Sequence, residues 1–134
     1  EITLSVNPFI PKPSTPLQWA GMCPLDELKR KVNLLEKGLR PLANVRIKVE
    51  ELQGAVLQAL LSRGGRELLP LIMQMSQGLN LRKAAKLCGL EPEAMVSRNL
   101  PLHEALPWDV VQVTERDRLV LEYQRAMECI GVNV

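Results

Sequence analysis

Few side chains in this sequence are of the types that bind metals or act as nucleophiles. The 134 residues include three cysteines and one histidine. The cysteines are odd in number and far apart, at Cys23, Cys88 and Cys129, so they form neither a disulfide framework nor a C-x-x-C metal pair. His103 stands alone and cannot build a histidine-rich metal site. The sequence therefore predicts no metal ligand and no catalytic residue here, and we interpret the cysteines as buried thiols in a reducing cytoplasm.

Charge and composition exclude further classes of function. The formal net charge of +2 is too small to indicate nucleic-acid binding. The aromatic residues are two Trp, one Tyr and one Phe, which provide no stacking platform for single strands. No apolar run approaches the ~18–20 residues that span a bilayer. We therefore expect neither a membrane nor nucleic acid as a partner.

A proline-rich stretch from 7 to 19 is the first feature that could carry function. It follows a predicted strand, and its prolines fix the backbone as a stiff extended loop. In barrels of parallel strands, functional groups gather on loops at the carboxyl ends of the strands. Lys12 and Thr15 could then face a ligand, and Trp19 could pack over an apolar or aromatic one. The alternative is a rigid linker in which Trp19 and Phe9 fill a core.

The second feature is a pair of short predicted helices within residues 81–98. Ala85, Gly89 and Met95 have the spacing of a helix-turn-helix, with a small residue at the helix crossing and glycine in the turn. If the pair bound DNA, Glu91 and Glu93 would stand where the second helix meets phosphates and would repel them. This charge pattern favours a structural helix pair over a DNA-binding one.

The elements that must position these residues follow from hydrophobic periodicity. Alternation of apolar and polar residues predicts strands at 2–6 and 45–49. Apolar residues at steps of three and four predict helices at 25–39, 51–62, 68–77, 81–87 and 92–98, and a last helix capped by Thr114. A brief extended piece is expected just before that cap, at Val110, Val111 and Val113. The predicted fold class is α+β and mostly helical.

Three stretches, in order, resemble one protein family. The stretch Val6-Asn-Pro-Phe-Ile-Pro-Lys-Pro-Ser-Thr-Pro-Leu-Gln-Trp19 is similar to the segment after a late barrel strand in radical S-adenosylmethionine proteins. The branch concerned often carries a cobalamin-binding domain. A second stretch, Ala59-Leu-Leu-Ser-Arg-Gly64, is similar to a helix of that family that ends in Ser-Arg-Gly. The third, Ala105-Leu-Pro-Trp-Asp109 with Leu121-Glu-Tyr-Gln-Arg-Ala126, is similar to its Leu-Pro-Trp-Asp and Glu-Tyr-x-Arg-Ala.

The sequence departs from the family pattern in three places. Gly65, Arg66 and Glu67 stand where the family has Asp-Arg-Arg after its Arg-Gly. Ser14 stands where the family's loop usually has a histidine, and residues 77–99 do not match the pattern. The family's substrate therefore need not be the substrate here.

The resemblance implies the C-terminal part of an iron–sulfur, oxidoreductase-like protein. The family holds a four-iron, four-sulfur cluster through C-x-x-x-C-x-x-C and cleaves S-adenosylmethionine to a carbon radical. The cysteines of this chain lack that spacing, so we expect the cluster ligands upstream and no catalysis by this piece alone. Cobalamin is a further cofactor that this branch can use. A first strand that begins without a methionine agrees with a piece of a longer protein.

The resemblance also implies a division of the chain and a set of site residues. Residues 1–42 would be the last strand, proline-rich loop and helix of a partial barrel, and 43–134 a short strand with a helical C-terminal extension. The residues that would lie near the cofactor and the substrate channel are Pro11, Lys12, Thr15 and Trp19.

The expected partner is the upstream part of the same chain. Without it, Ile2, Leu4 and Val6 of the first strand would be exposed, or the strand edge would pair between copies. The alternative function is a small helical binding module, for DNA or for another protein, that uses residues 81–98.

Overall fold

A computed structural model describes residues 1–111 and 113–132 of the chain. It is mostly helical with one two-stranded sheet, which confirms the predicted α+β, mostly helical class. The elements are β1 (Ile2–Val6), α1 (Leu25–Leu39), β2 (Val45–Val49), α2 (Leu52–Arg63), α3 (Leu69–Ser76), α4 (Leu81–Cys88), α5 (Pro92–Ser97) and α6 (Arg116–Cys129). Short 3-10 turns precede α1 and α3, at Pro16–Trp19 and Arg66–Leu68. No helix within these ranges has the length and apolar content to cross a bilayer.

The two strands pair in parallel, and α1 lies between them in the chain. Ile2 pairs with Val45, and the register continues to the strand ends, so the apolar residues of both strands share one face. On β2 the apolar residues are half-buried, whereas Arg46 and Lys48 are exposed. Because α1 packs against β2, the helix covers the apolar side of β2 and leaves the polar face of the sheet open.

Strand β1 is poorly covered. Ile2 is 60% exposed and Leu4 is 37% exposed, while Val6 is half-buried. Within the described chain, β2 is the one element that makes more than slight contact with β1. The exposed apolar surface expected on the first strand is therefore present at Ile2 and Leu4.

Helix α1 buries only the first turn of its apolar stripe. Asp26 and Glu27 lie in that turn, where carboxylates favour the helix macrodipole. Leu25 and Leu28 are buried, but Leu35 is 42% exposed. The second half of the helix therefore presents apolar side chains to solvent.

The main core lies between the start of α1 and helices α2 to α5. The buried members are apolar and include Met22, Leu25, Leu28, Ala55, Val56, Ala59, Leu60, Leu68, Leu71, Leu81, Ala84, Ala85 and Val96. Local signals set the helix ends: the Glu51 side chain accepts from the Gln53 and Gly54 amides at the start of α2. Asn80 caps α4, and Gly89, at a φ of 64°, ends it in the left-handed conformation that glycine adopts most readily.

A second core cluster joins the 3-10 turn before α1 to α6. Trp19, Leu106, Leu119 and Tyr123 form it, and all four are buried. The rings of Trp19 and Tyr123 are tilted by 55° with their centroids 5.5 Å apart, a favourable aromatic geometry. The end of the chain therefore packs back onto the segment that follows β1.

The approach to α6 differs from the sequence prediction. The helix begins at Arg116 with Glu115 as its N-cap and no capping side-chain hydrogen bond, so the predicted Thr114 cap is wrong. The extended piece is wrong too, because Val110, Val111 and Val113 lie in turns and bends. Asp109 stabilises the turn by accepting from the Leu106 amide at 2.8 Å, and no strand lies alongside for the valines to pair with in the described chain.

Candidate functional site

The proline-rich loop leaves the carboxyl end of β1 and is held by its own polar groups. The Lys12 Nζ donates to Ser62 Oγ at 3.1 Å, which ties the loop to the last turn of α2. The Thr15 hydroxyl donates to the Lys12 carbonyl at 2.8 Å, within the loop. Both side chains are half-buried, so their outer surfaces remain accessible to a ligand.

Lys12 and Thr15 line the same groove, of about 510 Å³. Its remaining lining is mostly apolar: Phe9, Ile10, Pro16, Leu17, Glu122 and Ala126. Phe9 is 55% exposed and lies on the rim, so it does not fill a core. The structure thus brings together a lysine, a hydroxyl and an exposed aromatic ring on one loop.

Pro11 and Trp19, the other two expected site residues, do not line this groove. Pro11 is among the most completely buried side chains, and Trp19 is 0% exposed. Trp19 packs against Tyr123, and the Arg116 guanidinium lies 5.7 Å from its ring centroid. Pro11 and Trp19 therefore anchor the loop in the protein interior, while Lys12 and Thr15 lie on its outer side.

Gln18 is a structural residue of the loop that its residue type alone did not reveal. It is only 3% exposed, and its Oε1 accepts from the Ser14 amide at 3.0 Å and from Trp108 Nε1 at 2.6 Å. Ser14 has a φ of 56°, a left-handed conformation that costs a non-glycine residue about 1 kcal/mol. The bond from Gln18 helps hold Ser14 there. The sequence feature that could have pointed to Gln18 is its place in the Gln18-Trp19 pair at the end of the loop motif.

Arg63, in the Ser-Arg-Gly stretch, is buried and joins two helix ends. Its Nη1 donates to the Val96 carbonyl at 2.5 Å and its Nη2 to the Arg98 carbonyl at 2.7 Å. Burial, followed by the like charge of Arg98, lowers the pKa of Arg63. In the departing stretch that follows, Glu67 accepts from the Gly65 amide at 2.7 Å. Arg63 and Glu67 therefore both form hydrogen bonds within the protein.

The cysteines do not form a cluster site. Cys23 and Cys88 are half-buried and Cys129 is exposed, which corrects the expectation that all three thiols are buried. In residues 1–111 and 113–132, no three His, Cys, Asp or Glu side chains are grouped closely enough to hold a metal ion. The residues present therefore do not fit a four-iron, four-sulfur cluster, and we derive no reaction step through one on this chain.

The helix pair at residues 81–98 forms as two short helices around Gly89. α4 packs against α3, and α5 packs against α2. Val96 is buried in the main core, and Glu93 lies in the first turn of α5. Three of the basic side chains in residues 81–98, Arg82, Lys83 and Lys86, are exposed on α4. The fourth, Arg98, directly follows α5 and forms an ion pair with Glu104, so no basic side chain lies within α5 itself.

Comparisons of this chain with protein-family models, with curated proteins and with solved structures found no match.

Proposed function

We propose that this chain is the C-terminal part of a radical S-adenosylmethionine, iron–sulfur protein, in which it completes the barrel and covers the substrate side. The proposal starts from the three ordered sequence resemblances, which span the chain from its first strand to its last helix. The cluster, S-adenosylmethionine and, in some members, cobalamin belong to the parent protein. By itself the chain supplies no cluster ligand and does not catalyse a reaction.

The observation that carries the proposal is the β1–α1–β2 unit. Two parallel strands connected through a helix are the repeating unit of an α/β barrel. Parallel sheets occur almost only with both faces covered, but here the polar face is open. On the other face Ile2 of β1 is 60% exposed. A unit of this kind is complete when further strands pair with its edges. Because β2 pairs with β1, we include β2 in the barrel part, to Val49.

The loop after β1 supports the same proposal. In α/β barrels, ligands bind on the loops that follow the carboxyl ends of the strands, and the groove with Lys12 and Thr15 is lined by the loop that follows β1 and by α6. We assign to these two side chains the contacts with cosubstrate or substrate, since both line the groove. Pro11 and Trp19 are positioning residues, because both are buried beneath the loop.

The first experiment is to sequence the reading frame upstream of Glu1. We expect C-x-x-x-C-x-x-C followed by alternating strand and helix patterns. The whole protein, reconstituted anaerobically, should then cleave S-adenosylmethionine, and replacement of the three cysteines by alanine should abolish cleavage. A start codon directly before Glu1, with no cysteine triad, would overturn the proposal.

The helix-turn-helix alternative has weaker support. A DNA-binding helix needs positive charge where it meets phosphates, whereas α5 has Glu93 in its first turn and buries Val96. A salt-dependent DNA-binding assay on this chain tests the alternative. We expect no binding at 0.15 M salt, and binding that weakens steeply with salt would favour the alternative.

A further inference from the structure

A cavity of about 780 Å³ opens between the proline-rich loop and the start of α6. Its volume is in the range that holds a small molecule. Ser14 and Gln18 line it from the loop, and Trp108 lines it from the turns that precede α6. No described residue lines both this cavity and the groove with Lys12 and Thr15. The proposed function therefore leaves this cavity without a ligand.

The charged side chains that line the cavity are mostly acidic. They are Asp109, Glu115, Arg116 and Asp117, three carboxylates and one guanidinium, with a formal net charge of −2. Arg116 is already engaged, because its Nη1 donates to Asp109 Oδ2 at 2.7 Å and its Nη2 donates to two backbone carbonyls. Among the described residues, Glu115 and Asp117 have no cation within salt-bridge distance. Two carboxylates of the cavity are therefore unmatched.

The start of α6 offsets only part of this negative charge. A helix N-terminus carries roughly half an elementary positive charge, and Asp117 lies in the first turn, where a carboxylate favours that dipole. Glu115 is the N-cap residue, but its side chain accepts no capping hydrogen bond. The needs of the helix thus account for less than the two unmatched carboxylates.

Gln18 supplies a second, independent indication of a ligand. Its side chain is only 3% exposed, and its Oε1 accepts from the Ser14 amide and from Trp108 Nε1. Because both neighbours are donors, the oxygen is fixed on their side and the Nε2 group is left on the other. Within residues 1–111 and 113–132, Nε2 donates to no acceptor. A nearly buried donor of this kind favours a ligand that brings an acceptor into the cavity that Gln18 lines.

The aromatic residue of the cavity favours an organic cation. Trp108 is half-buried, and indole is the aromatic group that attracts cations most strongly. In the described part of the chain, the carboxylates are not grouped closely enough to hold a metal ion. Unmatched carboxylates beside an indole ring are instead suited to an ammonium group, which is larger and needs no fixed coordination geometry.

We propose that this cavity binds an organic cation, a protonated amine that also carries a hydrogen-bond acceptor. Glu115 and Asp117 attract the ammonium group, Trp108 contacts it through the indole ring, and Gln18 Nε2 donates to the acceptor. All four residues belong to the chain described here. The inference is therefore independent of the barrel assignment.

The test is a nuclear magnetic resonance titration of the whole 134-residue chain, labelled with ¹⁵N, at low ionic strength. The first probe is Nα-acetyl-lysine amide, which has an ammonium group and carbonyl acceptors. Nα-acetyl-norleucine amide lacks the ammonium group, and n-butylamine lacks the carbonyls. We expect saturable shifts at the Asp117 amide and the Trp108 indole N–H with the lysine amide, about fivefold weaker binding of butylamine, and no binding of the norleucine amide.

Variants locate the charge that binds the probe. The double change Glu115→Gln and Asp117→Asn should weaken binding of the lysine amide at least about fivefold. Glu128→Gln removes a carboxylate from the other end of α6 and should bind like the unaltered chain. The comparison of the lysine and norleucine amides needs no variant, so it holds even if the double change loosens the first turn of α6.

Three results would overturn the cation site: equal binding of the norleucine amide, unchanged binding in the double variant, or an equal loss in Glu128→Gln. The last would show that the probe follows the net charge of the chain and not this cavity. Butylamine that binds as tightly as the lysine amide would overturn the role of Gln18 as the donor.

Discussion

At the residue scale, Arg63 shows how a charged side chain can serve a purely structural purpose. It lies at the end of α2 and donates to carbonyl groups at the end of α5, where a helix leaves acceptors without intrahelical partners. Its Nε is buried without a hydrogen-bond partner among the described residues. Two of the Arg63 donors are therefore engaged within the fold, and the Nε donor is closed to solvent.

Replacement of Arg63 should destabilise the fold. Arg63→Met removes two hydrogen bonds from a charged donor and leaves the Arg98 carbonyl short of a partner, whereas the Val96 carbonyl still accepts from Met22. We expect a loss of about 1–3 kcal/mol in the free energy of unfolding, measured with urea. Arg66→Met, at an exposed position nearby, should change it by less than about 0.5 kcal/mol. Equal effects would show that the buried bonds contribute nothing.

Tyr123 should make stability fall at alkaline pH. Burial raises the pKa of its hydroxyl, so above about pH 10 the folded chain holds a proton that the unfolded chain has released. Stability is therefore full below about pH 10 and is lost as the pH rises toward the folded pKa. Tyr123→Phe keeps the ring in the core and should remove this decline in urea midpoints. An unchanged alkaline slope in the variant would exclude Tyr123 as its source.

At the element scale, the segment before α1 packs closely against the end of α5 and the residue Asn99 beyond it. The Gly21 amide donates to Asn99 Oδ1 at 2.7 Å, and the Met22 amide donates to the Val96 carbonyl at 2.8 Å. A Cβ on Gly21 would stand 2.0 Å from the Ser97 carbonyl oxygen. Glycine is therefore required there by close approach of two backbones.

Two glycine substitutions should have opposite effects. Gly21→Ala should cost more than about 2 kcal/mol, because backbone must move to admit the methyl group. Gly38→Ala lies within α1 with nothing inside 4 Å of the new Cβ, so it should stabilise the chain by about 0.5–1 kcal/mol. Thermal unfolding of both variants measures the difference. A Gly21→Ala variant as stable as Gly38→Ala would contradict the packing of the two segments.

Most element types could be predicted from periodicity, since strands β1 and β2 alternate and α1 repeats at helical spacing. The approach to α6 could not, because three valines favour a strand only if another strand lies beside them. In the loop, proline content indicated a stiff segment, but it could not tell which side chains face outward. Lys12 and Trp19 differ in this respect through contacts with Ser62 and Tyr123, which lie far along the chain.

At the scale of the whole molecule, the described residues form a compact helical part and a two-stranded sheet, and no other described strand pairs with either edge of that sheet. Strands with unpaired edges and exposed apolar residues tend to pair with other copies. Ile2 and Leu4 are exposed on such a strand, and the second half of α1 also exposes apolar side chains. The isolated chain therefore combines a covered core with a surface suited to association.

The isolated chain should self-associate through β1. Sedimentation velocity over a tenfold or greater range of concentration should show dimers or larger species. The double change Ile2→Lys and Leu4→Lys places charge on the strand and should return the chain to monomer. Leu34→Lys, at a side chain 64% exposed on α1, is the matched control and should leave the association unchanged. A monomer at every concentration would contradict an interacting edge.

The fluorescence of the two tryptophans reports on only one of the two core clusters. Trp19 belongs to the second core cluster and Trp108 packs against it, so the main core contains neither. Intrinsic fluorescence will follow the docking of α6 onto the loop after β1, whereas far-ultraviolet circular dichroism will follow all the helices. If the two clusters melt separately, emission and dichroism will give different midpoints, and a single shared midpoint will mean that they unfold together.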